Sequence, residues 1–428
     1  MDRIADRYLP PGVLAAAYIA LIPLARPGLP ANLHVADLLF PFLAIAVVAR
    51  HGRAWQLRPL DYCVMAYLVS LLPSFMVTDD VRASGVELVK RLYLAAVYVV
   101  FAIYFRSEGF VSAFKAVVYS AMVLCSFGLA VIAAYFLGGA FSPQIGSPNP
   151  IPYVGNVLRV WLVTESPSML ASYLTFALPF LLAARFATLL GRAVWLGSVG
   201  AAAIVAMLSF SHGLAGFVAS GLITVWRRAS GPRGHARRVA AAAASMVLIL
   251  VLNAMLVATV RRVDWSADFD GSVPRSAAPY EFQQAQGARR LNLHVSYNPM
   301  SYYLLKEVAW RAFVERPWTG FGLDRFHALT AQAADEGRIH EIYRFTDPHS
   351  TAFGALAETG IFGAVTIVAL FVVAVVPLRR SEGSLASWFI VASQAAIIGL
   401  AVNSLNTDIM NFRFLWVGLA AVRHRDLV

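Results

Sequence analysis

Asp347-Pro348-His349-Ser350-Thr351 closes a long hydrophilic stretch and opens an apolar one, so that a histidine stands at the mouth of a membrane helix. A neutral imidazole there can take a proton from an incoming hydroxyl, because its ordinary pKa lies near the operating pH. Pro348 fixes the backbone entry, and Ser350 or Thr351 can cap the free amides of the first turn. The same position also suits a histidine that only caps the helix or sits at the interface. Glu358 follows nine residues later. On one continuous helix that spacing puts the two on opposite faces, about 13 Å apart along the axis, so they are not expected to form a dyad. A carboxylate inside a membrane helix is read first as hydrogen-bonded within the bundle. Gly354, Gly360 and Gly363 are read as permitting close helix packing.

Cations form the second group. Lys90 and Arg91 open one apolar run, Arg159 precedes another, and Arg413 stands just inside the last. Arg289, Arg290, Lys306 and Arg311 lie in the long hydrophilic stretch. Arginine grips a diphosphate through two parallel hydrogen bonds, although cations at these depths also snorkel to headgroups. For Arg311, surface pairing with Glu307 or Glu315 competes with a ligand role. There is no Walker loop, dinucleotide fingerprint or metal-binding His/Asp cluster, so neither cofactor nor metal is expected and a substrate must bring its own activated bond. Cys63 and Cys125 both fall in apolar runs, which points away from a disulfide framework.

The elements that must carry these residues belong in a bilayer. Of 428 residues, 59% are hydrophobic and 14% charged, and the mean hydropathy is +0.65. Long apolar runs favour helices over the alternating strands of a barrel. Twelve spans are expected, near Leu9–Ala25, Leu33–Ala49, Leu60–Val77, Leu88–Phe105, Phe114–Leu137, Met169–Phe186, Val194–Phe210, Leu214–Trp226, Val239–Val260, Thr351–Val376, Leu385–Val402 and Ile409–Val422. The expected fold is therefore all-α and polytopic, with residues 1–428 forming a single transmembrane domain and residues 261–350 a large helical loop within it.

With the N-terminus in the cytoplasm, the cytoplasmic segments carry 18 basic residues and the opposite short segments 6, which satisfies the positive-inside rule. Both termini then face the cytoplasm, and the long loop lies outside it. That loop, Arg261–His349, holds 11 basic and 11 acidic residues. The net charge of +11 thus reports topology rather than affinity for nucleic acid. Within the loop, Tyr302, Leu305, Ala309, Trp310, Phe313 and Val314 keep helical spacing, and Pro317-Trp318-Thr319-Gly320-Phe321-Gly322 stops that helix. Trp310, Phe313 and Trp318 are read as interfacial anchors ahead of sugar contacts. The other long segment, Gly138–Ser168, is rich in Pro, Gly and Asn and reads as loop.

His349-Ser350 leading into Glu358-Thr359-Gly360 and Gly363, after a helix ending in Arg316-Pro317-Trp318-Thr319-Gly320-Phe321-Gly322, resembles the O-antigen ligase and O-antigen polymerase superfamily of bacterial envelope enzymes. The resemblance is best from the seventh span to the tenth and is one of topology only over the first six. It implies a membrane glycosyltransferase of the bacterial inner membrane that works at the periplasmic face. The reaction implied moves a glycan from an undecaprenyl-diphosphate carrier to an acceptor hydroxyl, without metal or nucleotide. His349 would be the catalytic histidine, and Arg159, Lys90, Arg91, Arg289, Arg290 and Arg311 are the diphosphate candidates. The family's Ser-Arg-Gly at the eighth helix is Ser211-His212-Gly213 here. A ligase using lipid A core as acceptor is the first reading, and a polymerase using a second lipid-linked repeat comes next. A transporter of lipid-linked sugars is the alternative from another class; it would usually carry internal repeats and charges near the midplane.

Overall fold

The computed structural model describes residues 10–25, 33–51, 56–107, 109–139, 142–151, 155–228, 300–339, 341–376 and 384–425. Its helices are α1 (Pro11–Leu21), α2 (Phe40–His51), α3 (Pro59–Met76), α4 (Val81–Ser107), α5 (Phe110–Gly138), α6 (Pro167–Phe186), α7 (Arg192–Leu208) and α8 (Leu214–Arg228). After the interval at 229–299 come α9 (Met300–Glu315), α10 (Phe326–Asp335), α11 (Thr351–Val375), α12 (Leu385–Asn403) and α13 (Arg413–Val422).

The count of twelve spans is corrected. Among the described residues six helices are long and apolar enough to cross a membrane, namely α3, α4, α5, α6, α11 and α12. The chain is thus a multi-pass membrane protein whose described residues hold fewer full-length spans than their hydropathy suggests. At 1.5 Å per residue, α1, α2 and α13, with 11, 12 and 10 residues, reach only about 15–18 Å. Hydropathy cannot tell a buried turn from a helix, and here several apolar runs contain both. The run starting at Leu33 begins as a short 3-10 turn, Val35–Leu38, and Ile409–Phe412 precedes α13 as non-helical backbone. The runs near Val194 and Leu214 form α7 and α8, with 17 and 15 residues. The run Val239–Val260 lies outside the described residues.

The segment Gly138–Ser168 is also more ordered than a loop. Gly146–Ile151 (β1) pairs antiparallel with Gly155–Val160 (β2), Ser147 standing opposite Arg159. Two prolines in β1 hid it, since they forfeit ladder donors and are tolerated only in edge strands.

At the centre, α6, α12 and α13 are buried along most of their length. Small and polar residues let them approach α8. Asn403 accepts the Gly216 N–H at 3.1 Å and donates to Thr175 Oγ1 at 3.1 Å, tying α12, α8 and α6 together. This block carries α11, on which α9 and α10 pack from one end, and the joint is a break in α11 itself.

Candidate active site

The break arises at Gly360, whose φ of +64° and ψ of −157° are open only to glycine. One turn of backbone bonding is thereby lost, and the Pro317–Gly322 turn replaces it. Phe321 N–H donates to Ala357 O at 3.0 Å, Gly322 N–H to Glu358 O at 3.1 Å, and Ile361 N–H to Pro317 O at 2.8 Å. Ser74 Oγ adds a bond to Glu358 O at 2.6 Å. Gly320, at φ +66°, comes so close that a Cβ there would stand 2.3 Å from the Glu358 carbonyl carbon. The two sequence motifs therefore meet in one backbone joint, and Gly360 serves more than helix packing.

Beside this joint is a cavity of about 560 Å³. His349, Lys90, Arg91 and Glu358 all line it, together with His327, Asp347 and Asp408. His349 is not part of α11. Ser350 is the N-cap, its Oγ accepting from Phe353 N–H at 3.4 Å, and His349 precedes it at φ +46°. That left-handed backbone is uncommon for a residue with a side chain, and such strain clusters at functional sites. Because His349 lies off the helix, the opposite-faces argument does not apply, and it borders the same cavity as Glu358. Glu358 Oε1 accepts the N–H of Phe326, first residue of α10, at 3.3 Å. Partial burial pushes the His349 imidazole below its ordinary value, while the Asp347 charge opposes this. At neutral pH the ring is therefore uncharged and able to accept a proton.

The opposite wall comes from the first turns of α4, where i, i+3 and i+4 spacing puts Glu87, Lys90 and Arg91 on one face. Glu87 pairs with Lys90 at 3.2 Å and with Arg91 at 2.7 Å. Arg91 also reaches Asp408 at 3.6 Å. Asp408 in turn accepts from Thr351 Oγ1 at 3.2 Å and Asn411 Nδ2 at 2.9 Å, so the cationic wall is tied to the base of the His349 helix. Arg91 Nη1 is buried with no hydrogen-bond partner among the described residues. An unmet charged donor is costly, and a ligand anion would satisfy it.

The remaining candidates stand elsewhere. Arg159 does not line the cavity; its Nε donates to Ser209 O, at the end of α7, at 3.2 Å. Arg311 is exposed and pairs with Glu307 at 2.6 Å. Arg289 and Arg290 lie outside the described residues. Arg413 binds Asp37 through two bonds, at 2.7 and 2.5 Å. Trp310 and Trp318 are exposed and outside the cavity lining, as interfacial anchors would be.

The matched part of the chain contains the joint and the histidine. Residues 198–368 match the O-antigen ligase family. No curated protein matches the chain. The O-antigen ligase match, over about two fifths of the chain, supports the superfamily that the motifs resemble, a class of membrane enzymes. His349, Glu358, Gly360 and the Pro317–Gly322 turn fall inside it, whereas Lys90 and Arg91 are brought to the cavity by a helix outside it.

Sequence reasoning missed His327. Its Nε2 lies 3.1 Å from Asp347 Oδ1 and its Nδ1 2.7 Å from Phe345 O. The Asp347 carboxylate pushes the ring up to about 9, and the imidazolium beside it holds the Asp347 carboxyl below its usual range. The pairing spans twenty residues and follows no helical or motif spacing, so no local signal could have found it.

Proposed function

We propose that this protein is a glycosyltransferase working at the periplasmic face of the bacterial inner membrane, and that its cavity joins a glycan from an undecaprenyl-diphosphate carrier to a hydroxyl of lipid A core. The observation that carries the reading is the meeting, in one cavity, of a neutral His349 with Lys90 and Arg91. The acceptor oxygen attacks the anomeric carbon as His349 takes its proton. The bond from that carbon to the diphosphate oxygen breaks, and the electron pair leaves with the carrier. Lys90 and Arg91 meet the charge that develops there, Arg91 through its unmet Nη1. Glu87 and Asp408 hold the two cations in place before the substrate arrives, so little reorganisation accompanies the reaction.

The test is reconstitution of the purified protein with a lipid-linked glycan and lipid A core. A joined product is expected, and His349→Ala should lower its rate by about 10²–10⁴-fold at unchanged membrane abundance. A well-folded His349→Ala protein of full activity would reduce the histidine to a helix-entry residue. In a parallel arm, product formed only when a second lipid-linked repeat replaces lipid A core would reassign the acceptor. Movement of the lipid-linked glycan across the bilayer without any joined product would make the protein a transporter.

A further inference from the structure

The loop that carries His349 is strained at two points, Phe345 at φ +60° and His349 at φ +46°. Such backbone persists only when its surroundings hold it. Asp347 lies between these points, and its side chain is mostly exposed, so burial does not fix the loop there. Arg344, next to Phe345, ties the start of the loop to Asp335 at the far end of α10. At the strained points themselves the His327 ring on the first turn of α10 reaches across, one nitrogen facing the Phe345 carbonyl and the other the Asp347 carboxylate. Both partners are acceptors. Only the doubly protonated ring can donate to both at once. A helix N-terminus disfavours a cation, so these two acceptors are what make the charge tenable there.

We propose that His327 is a positioning residue for the transfer reaction: as an imidazolium it clamps Phe345 and Asp347 and so fixes the loop that presents His349. The inference rests on the function proposed above. The charged groups acting on His327 are Asp347 on the loop and Asp324 on the turn before α10; His349 on the loop and Glu87 and Lys90 on α4 line the same cavity and act on those two carboxylates. α10 is anchored independently of the loop, Arg325 pairing with Asp79 at 2.6 Å and the Phe326 N–H donating to Glu358 Oε1 at 3.3 Å. The clamp therefore pulls the loop toward a fixed point. The His327 value is raised from 6.5 to about 9, so the clamp is at full strength below pH 6.5 and is lost as the pH rises through about 9.

The experiment measures transfer by the full-length protein in nanodiscs from pH 6 to 10, for wild type, His327→Gln and His327→Ala, with thermal transitions recorded to confirm folding. Wild type should lose activity as the pH passes about 9. His327→Gln, which keeps donors but cannot titrate, should have kcat lowered about 10–100-fold at pH 7 with KM little changed, and no alkaline fall. His327→Ala should lose more. An alkaline limb identical in His327→Gln, or a raised KM at unchanged kcat, would overturn the proposal. Nitrogen NMR of the histidine rings separates this from failure of the functional reading. The ring signal missing from His327→Gln should report both nitrogens protonated until about pH 9 whether or not wild type forms product, and a ring that deprotonates near 6.5 would overturn the clamp.

Discussion

Two sets of buried arginines are held in contrasting ways. At the two ends of α13, Arg413 and Arg423 each meet an aspartate through two bonds and a tyrosine completes the group. Arg413 binds Asp37 at 2.7 and 2.5 Å with Tyr93 donating to Asp37 at 2.5 Å; Arg423 binds Asp61 at 2.7 and 2.9 Å with Tyr98 donating at 2.6 Å. In the cavity, Arg91 shares Glu87 with Lys90, stands 3.6 Å from Asp408 with Tyr67 beside it, and among the described residues has no hydrogen-bond partner at Nη1. A buried charge that its neighbours satisfy belongs to the scaffold, and the function proposed above takes the one left partly unmet as set for a ligand. A ten-residue helix cannot cross a bilayer alone, so α13 depends on its two clamps, whereas the long α4 can hold charges in its first turns without being anchored by them.

The largest effect should come from the scaffold set. Arg413→Ala strands Asp37 and should cost about 3–5 kcal/mol of stability, read as thermal unfolding in detergent. A change within about 1 kcal/mol would merge the two classes. Next is the joint that shapes the cavity. At Gly360 a Cβ would stand 2.5 Å from Trp318 O and φ is +64°, so Gly360→Ala should cost about 1–3 kcal/mol and lower transfer more than proportionately. The cavity should also respond to acid. Because His349 sits below its ordinary 6.5, its base form predominates at pH 7 and is lost as the pH falls through a midpoint below 6.5; beyond that midpoint transfer should drop about tenfold per unit. Transfer that does not fall with acid anywhere the protein stays folded would separate His349 from proton transfer. The smallest effect belongs to Arg311→Ala, which removes an exposed pair and should shift stability by less than about 1 kcal/mol and transfer by less than twofold.

The contrast also marks how far residues alone could be read. His349 at a helix entry, a cap at Ser350 or Thr351 and the stop at Pro317 were legible because each rests on local backbone rules; that the cap is Ser350 came from the structure. Helix α9, from Met300 to Glu315, was legible from its 3.6-residue spacing. The span count was not, because Ile409–Phe412 and Val35–Leu38 are as apolar as helix and only the folded chain separates them. Arg413 and Arg91 looked alike as cations near an apolar boundary; what divides them is Asp37, which lies 376 residues from Arg413. His327 escaped for the same reason, since its partners come from a loop that folds back on it.

The central claim is that Arg91 is held for a diphosphate and Arg413 for the fold, and binding of undecaprenyl diphosphate to the purified protein tests it most directly. Arg91→Gln should weaken binding by about 10–100-fold, the worth of a charge-assisted hydrogen bond. Its unliganded thermal transition should move little, since Lys90 remains on Glu87 at 3.2 Å. An Arg91→Gln protein that is folded and binds the diphosphate as tightly as wild type would contradict the account.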